Sequence, residues 1–262
     1  MHRGIISVCV AVACLAGSAS PGRGAMQFTR NTDTIAVTGN TVLSDRATYE
    51  ATVTFTSTSY PIRGFIYNAW VSGSQDEQFA ILNGGALSAY GYPLGGGALN
   101  GGVLAAGVQY DLAYVYDGSQ ERLYINGNLA ASRAMTGTIA SGTGNTSAVG
   151  AIFRDGAINV SFLGSIQSLR ISNSARYSGN SYSPNFGDFT DDTSTLLLYD
   201  FDTAPVNGVI PDLSTTGHNG TLGAGFTGAT SPTFVLPDPA GLSVMGLAAG
   251  ICLMRRRRRA IA

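Results

Sequence analysis

Lysine is missing from this 262-residue chain: all 15 basic residues are arginines. Without lysine there is no Walker phosphate loop, no Schiff-base nucleophile and no Ser–Lys dyad. Cysteine is confined to Cys9, Cys14 and Cys252, each inside a terminal apolar stretch. The body between them has no thiol, no disulfide and no cysteine-type zinc site. Histidine occurs only as His2 and His218, so a two-histidine metal site cannot be built in the body, and any histidine triad has to use His218. Charged residues are 12% of the chain and no long run of Ala, Glu and Leu appears, which argues against a mostly helical protein. What remains for chemistry is carboxylates, hydroxyls, amides, arginines and aromatics.

Glycine is abundant instead, with 35 residues, roughly twice ordinary usage. The whole chain carries a formal charge of −1, yet residues 26 to 236 hold 8 arginines against 15 acids, or −7. That balance disfavours a nucleic-acid partner.

Both ends carry export signals. Residues 1–19, MHRGIISVCVAVACLAGSA, place Arg3 before an apolar run from Ile5 to Leu15 and then small residues at Gly17 and Ala19, the layout of a cleaved secretory signal peptide. The apolar run is well short of the roughly 18 residues of a spanning helix. Residues 236–262 place Pro237, Asp238 and Pro239 before an apolar segment, Ala240 to Met254, and the five arginines Arg255 to Arg259. As a helix that segment is about 22 Å long, against a hydrocarbon core of about 30 Å. It is expected to insert marginally and transiently, with the arginines on the cytoplasmic side. A permanent tail anchor is the alternative.

This tail resembles the PEP-CTERM sorting signal, with Asp238 where that family has a central Glu. The resemblance implies an exosortase-type processing enzyme as partner beside the secretion machinery. It also implies a Gram-negative host making extracellular polysaccharide, with the body exported to the cell surface or matrix.

Between Phe28 and Leu222 short β-branched and aromatic runs alternate with Gly, Asn, Asp and Ser, the pattern of many antiparallel strands. Strands are expected at Tyr49–Phe55, Phe65–Val71, Gln78–Leu82, Tyr110–Asp117, Leu123–Asn126, Ser147–Phe153, Gly164–Ser172 and Thr195–Phe201. Asp117-Gly118 and Asn126-Gly127 favour the positive φ angles of tight hairpin turns. Alternation in LYINGNLAAS sets Leu123 and Ile125 on one face, the core face, and Tyr124 on the other. No Pro- or Ser-rich linker interrupts the pattern, so one sandwich over residues 26–230 is expected.

The stretch YDGSQERLYINGNLAAS resembles the middle hairpin of laminin-G-like, concanavalin A-like domains. In the same order SAVGAIF, FLGSIQSLRISNSARY, LLLYDFD and PDLSTTGHNGTL resemble the strands that follow it. The fold implied is all-β, a concanavalin A-like jelly-roll sandwich of two antiparallel sheets. The resemblance also implies calcium at the sandwich rim, with Asp202 and Asp212 as candidate ligands. Equally open is the reading that both are turn formers bonded to their own backbone.

The same fold hosts glycoside hydrolases, usually through a Glu-x-Asp-x-x-Glu strand. Retaining hydrolysis needs two carboxylates about 5 Å apart, and Glu50, Glu77 and Glu121, the glutamates of the body, do not have that spacing. No enzyme activity is expected. His218 with Ser214 lies in a turn-rich stretch and no Gly-x-Ser-x-Gly elbow exists, so a surface-turn histidine is the expectation. Trp70 is expected in the core.

The glycine-rich segment ALSAYGYPLGGGALNGG carries Tyr90 and Tyr92. Lacking lysine, it is no phosphate cradle. Exposed tyrosines on such a loop can stack on sugar rings, or they pack under their own loop. The function expected is a non-catalytic module binding polysaccharide or a surface glycan through Tyr90 and Tyr92. A structural or adhesion matrix protein contacting other proteins is the alternative.

Overall fold

The computed structural model describes residues 23–39, 41, 45–60, 63–72, 75–91, 94–139, 147–154, 157–224 and 227–236. The leader 1–19, the tail from Pro237 onward and Tyr92 lie outside them. Among the described residues there are eighteen strands and no helix; none is therefore a helix long and apolar enough to cross a membrane. In chain order the strands are β1 (Ala25–Phe28), β2 (Ile35–Val37), β3 (Ala47–Phe55), β4 (Arg63–Ser72), β5 (Gln75–Leu82), β6 (Ala86–Tyr90), β7 (Leu99–Val103), β8 (Gln109–Tyr116) and β9 (Gln120–Ile125). There follow β10 (Asn128–Ala134), β11 (Ser147–Val149), β12 (Ala151–Arg154), β13 (Ala157–Ser161), β14 (Gly164–Ser172), β15 (Thr195–Asp200), β16 (Val209–Ile210), β17 (Gly220–Leu222) and β18 (Thr233–Val235).

They form two large antiparallel sheets. The first runs β10-β9-β8-β3-β14-β1-β18, with β15 on the other half of β14, and the second runs β16-β17-β2-β11-β4-β5-β6-β7. Strands β12 and β13 make a separate hairpin. All of these lie in one compact unit, Arg23–Pro237. The chain is thus the all-β, two-sheet antiparallel sandwich its alternation pattern implies.

Each expected strand is present. The stretch Ser147–Phe153 is divided, because Gly150 sits at φ 82° and ends the β11 ladder. A Cβ there would lie 2.0 Å from the Phe28 ring, so only glycine lets the chain pass that ring. Between β9 and β10 the turn residues Asn126 and Gly127 take φ 49° and 74°, the two-residue hairpin geometry that Asn-Gly favours.

Strand alternation sorts the side chains. Tyr49, Ala51, Val53 and Phe55 of β3 face the second sheet, as do Leu112, Tyr114 and Leu123. Across the interior Tyr49 meets Tyr67 and Phe79 of the second sheet with ring centroids 5.7 and 6.3 Å apart. As expected, Leu123 joins this core with Ile125 packed against it, while Tyr124 lies on the opposite face with Ala113 and Val115.

That opposite face, the outer side of the first sheet, is covered by the chain itself. The segment Asn173–Ser194 lies along it as a strap, and outward residues of three adjacent strands hold it. On β3, the Thr48 hydroxyl donates to Ser174 O and accepts from Arg176 N, and Glu50 accepts from Tyr177 Oη at 2.5 Å. On β8, Asp111 accepts from Tyr182 Oη and from Asn185 N at 3.1 Å. On β14, Arg170 forks onto Glu50 at 2.7 and 2.9 Å, donates to Thr190 O and lies over the Phe189 ring. Tyr177 and Tyr182 stack with centroids 3.7 Å apart above Tyr124.

Asp111 is 2% exposed under the strap. Burial pushes its pKa up to about 6, against the opposing pull of the Tyr182 hydroxyl and the Asn185 amide. The folded carboxyl therefore holds its proton more tightly than an unfolded one. This contribution to stability is complete below about pH 4 and lost as pH rises through about 6, a term on the order of 2–3 kcal/mol. Denaturant melts of the wild type and Asp111→Asn between pH 4 and 7 should differ in slope within this window, with the variant flatter. Parallel curves would assign the dependence to other groups.

Candidate functional site

The outer side of the second sheet follows from its register. In antiparallel ladders directly paired residues share a face. Tyr90 pairs with Gln78, Gln78 with Asn68, Asn68 with Ala148 and Ala148 with Ala36. These lie on the outer side of the second sheet, since the neighbouring residues Tyr67, Phe79 and Leu99 fill the core. A parallel row runs Phe65, Ala80, Ser88 and Asn100. Asn68, Gln78 and Ser88 are buried at the centre, Arg63 and Tyr90 are half-buried, and Asn100 is exposed.

The polar groups here are mostly neutral. Asn68 donates its side-chain amide to Glu77 O at 2.9 Å, and the Gln78 amide oxygen accepts from Arg63, whose guanidinium also lies over the Phe65 ring. Ser88 Oγ is buried, 1% exposed for the residue, and has no hydrogen-bond partner among the described residues. An unsatisfied buried hydroxyl costs free energy. Half-buried Arg63 and Tyr90 and exposed Asn100, at the margin, are the groups of these rows within reach of a polyhydroxylated ligand. At the far end of the first row Val209 borders a surface cleft of about 320 Å³, lined by Thr203, Ala204, Val206, Val209, Pro211 and Asn219. That cleft offers no aromatic platform.

Of the two tyrosines expected to meet sugar, Tyr90 is thus the end residue of β6 on this face, and Tyr92 lies outside the described residues. Asn68, Gln78 and Ser88 had no local signal, since only the long-range register brings them beside Tyr90. Trp70 stands opposite Asp76 in the β4–β5 ladder, and its side chain lies outside those described.

The two candidate calcium ligands are not brought together. Asp212 accepts hydrogen bonds from Leu198 N, Ser214 N, Ser214 Oγ, Thr216 Oγ1 and His218 N. Burial alone would raise this carboxyl, but those donors outweigh it and hold its pKa below the ordinary value. Asp212 is the turn former of its loop, and it also blocks the open edge of β15 at Leu198. Asp202 instead joins Asp188 and Asp200, with carboxylate oxygens within 4.8 Å of one another. Three hard oxygens fit a calcium ion, but the Arg23 guanidinium already lies among them, 3.0 Å from Asp200 and 3.4 Å from Asp202 and in contact with Asp188.

No triad geometry forms at His218. Its Nδ1 contacts Thr38 O at 2.8 Å, while Ser214 Oγ bonds Asp212, so serine, imidazole and carboxylate are not in series. The three glutamates are committed elsewhere. Glu50 holds Arg170, Glu77 accepts from Tyr49 Oη at 2.8 Å inside the core, and Glu121 accepts from Tyr114 Oη at 2.8 Å and from Arg133 Nε at 2.9 Å. Burial first, and then the nearby carboxylate, keeps both phenols well above their ordinary pKa.

Comparisons with known proteins bear on the fold. No curated protein sequence matches the chain. Among solved structures, a protein of Bacteroides ovatus ATCC 8483, provisionally assigned as carbohydrate-binding, superposes with TM-score 0.59 at 18% identity. The match covers 84% of this chain and 61% of that one, so the chain spans less than two thirds of its length. The heptameric SAP-like pentraxin of Limulus polyphemus has TM-score 0.46 at 14% identity, covering 59% of this chain and 77% of that one. Domains LG4-5 of the mouse laminin α1 chain have TM-score 0.46 at 13% identity, covering 64% and 48%. At such identities likeness speaks for the fold alone. A laminin-G family model matches residues 29–179, more than half of the chain, and the chain belongs to the concanavalin A-like lectin/glucanases superfamily.

Proposed function

We propose that this protein is an exported, non-catalytic module that binds polysaccharide or a surface glycan on the outer face of its second sheet. The observation that carries the reading is the accessible margin of that face, where half-buried Tyr90 and exposed Asn100 stand beside the buried row of Asn68, Gln78 and Ser88. Tyr90 offers an aromatic edge and Asn100 an amide for sugar hydroxyls. Over β3, β8 and β14 the outer face of the first sheet is covered by the 173–194 strap. The commitment of Glu50, Glu77 and Glu121 to buried hydrogen bonds supports binding over hydrolysis, and the B. ovatus likeness is consistent with a carbohydrate ligand. A structural or adhesion protein is the second class, and it is distinguished by self-association without sugar.

The purified protein should bind at least one member of a panel of neutral and acidic polysaccharides saturably. Tyr90→Ala should weaken that binding about tenfold, equivalent to about 1.4 kcal/mol, without shifting the melting temperature. Binding unaffected by the substitution would move the site elsewhere, and no binding at all would favour the adhesion reading.

Calcium enters this reading as a structural ion at Asp202 with Asp188 and Asp200, in competition with the Arg23 side chain. Arg23→Gln leaves three carboxylates facing one another, so the variant should melt lower than wild type in chelator and recover more than wild type on adding calcium. Equal responses of the two proteins would remove calcium from that corner.

Export rests on the terminal signals, Arg3 to Ala19 and Pro237 to Arg259, with exosortase-type processing of the tail. Intact-mass measurement of the exported protein should find Arg255–Arg259 gone. A mass that retains them would make the tail an anchor.

A further inference from the structure

Strand β10 carries an arginine that does two things at once. Arg133 stands directly opposite Glu121 in the β9–β10 ladder. Glu121 is 0% exposed and faces the sandwich interior, where Tyr114 donates to its other oxygen. A buried carboxylate demands a partner, and the Nε and Nη2 groups of Arg133 supply it. The rest of the fork points outward. Nη1 donates to Gly96 O and Nη2 to Gly97 O, each at 2.8 Å. These two carbonyls belong to the connection between β6 and β7, the one that begins immediately after Tyr90.

Gly96 and Gly97 both take positive φ, 83° and 69°, and both are exposed. Leu94 is buried and its N–H donates to Gly91 O at 2.9 Å, passing the restraint back to the residue beside Tyr90. Glycines have the largest backbone freedom to lose on ordering. A planar guanidinium can bond a carboxylate and two carbonyls together, and an ammonium cannot reproduce that fork.

We propose that Arg133 is a positioning residue of the glycan site. Anchored on buried Glu121, it clamps the Gly96 and Gly97 carbonyls and so fixes the chain that follows Tyr90, without touching the ligand. The inference rests on the glycan reading above and adds a determinant of affinity that lies on the other sheet.

The test uses the whole protein with two variants. Arg133→Lys keeps a cation beside Glu121 but loses the fork. Arg133→Met combined with Glu121→Gln removes the clamp while leaving Tyr114 a neutral acceptor and no buried charge. Hydrogen exchange of the Leu94–Leu99 amides and polysaccharide binding are measured on both, with melting temperature as the control for folding. We expect exchange in that segment to rise about tenfold in each variant. Binding should weaken about tenfold in each. Unchanged exchange and binding in Arg133→Lys would overturn the proposal, as would binding lost without any change in exchange. If the wild type binds no polysaccharide, the glycan reading falls and the positioning role falls with it. Faster exchange in the variants would then still show the clamp itself, which separates the two failures.

Discussion

Hiding Ala113, Val115 and Tyr124 on the outer side of the first sheet is the demand around which the rest of this sandwich is arranged. Antiparallel sheets usually leave one face wet. Here β8 and β9 present apolar side chains on both faces, so a second layer has to exist. The strap 173–194 is that layer, and its backbone is tied to the β9–β10 hairpin by Leu129 N to Asn180 O and Tyr182 N to Gly127 O. Once the strap lies there, Glu50 and Asp111, outward residues of β3 and β8, become interior groups and require Arg170, Tyr177, Tyr182 and Asn185 as partners.

Scarcity of charge makes each pairing specific. With three glutamates and eight arginines in the body, the chain uses them at a few fixed places: Glu50 with Arg170, Glu121 with Arg133, and Glu77 with the Tyr49 hydroxyl. Tyr49 and Tyr114 stack at 5.5 Å with planes 14° apart, so two carboxylates reach the aromatic interior through phenol donors. Removing one member of such a pair leaves an uncompensated buried group. A side chain that is committed to holding the core in this way is poorly placed to exchange protons with a substrate.

How much of this was legible from the residues depends on the range of the interaction involved. Gly164–Ser172 could be bounded to the residue because apolar Ile166, Leu169 and Ile171 lie between a glycine-marked and a serine-marked end, and Asn126-Gly127 announced its own turn. Strand β7, LNGGV, was not legible, since two glycines carry no hydrophobic pattern and the strand is defined by its pairing with β6. Strand β10, whose residues are half exposed, was implied only through the Asn126-Gly127 hairpin and not bounded. The candidate site shows the same division. Tyr90 was visible as an aromatic beside a glycine-rich stretch, whereas Asn68, Gln78 and Ser88 acquire a role only when the register of β4, β5 and β6 is known. The alternation in Tyr110–Tyr116 did contain a usable sign of the strap, because Ala113 and Val115 fall on the face opposite to Leu112 and Tyr114. The turn-former account of Asp212 was available from local sequence and four of its five donors lie in the turn 214–218, whereas the fifth, Leu198 N, comes from β15.

The sheet order also ties the ends of the domain together. Strand β1, the first of the sandwich, pairs on one side with β14 and on the other with β18, the last, placing Ala25 opposite Val235. Next to this point Gly24 N donates to Asp202, and a Cβ on Gly24 would meet the Phe201 carbonyl at 2.1 Å, so the chain enters the domain through a tight passage beside the Asp188, Asp200 and Asp202 corner. The β1–β18 ladder closes only after the chain has been made as far as Val235, which makes it among the last contacts of the sandwich to form. Cleavage on either outer side of this ladder leaves every strand pair of the sandwich in place. A leader and a tail can therefore be added to or removed from such a domain without altering the face that carries Asn68, Gln78 and Tyr90, whose strands lie in the other sheet.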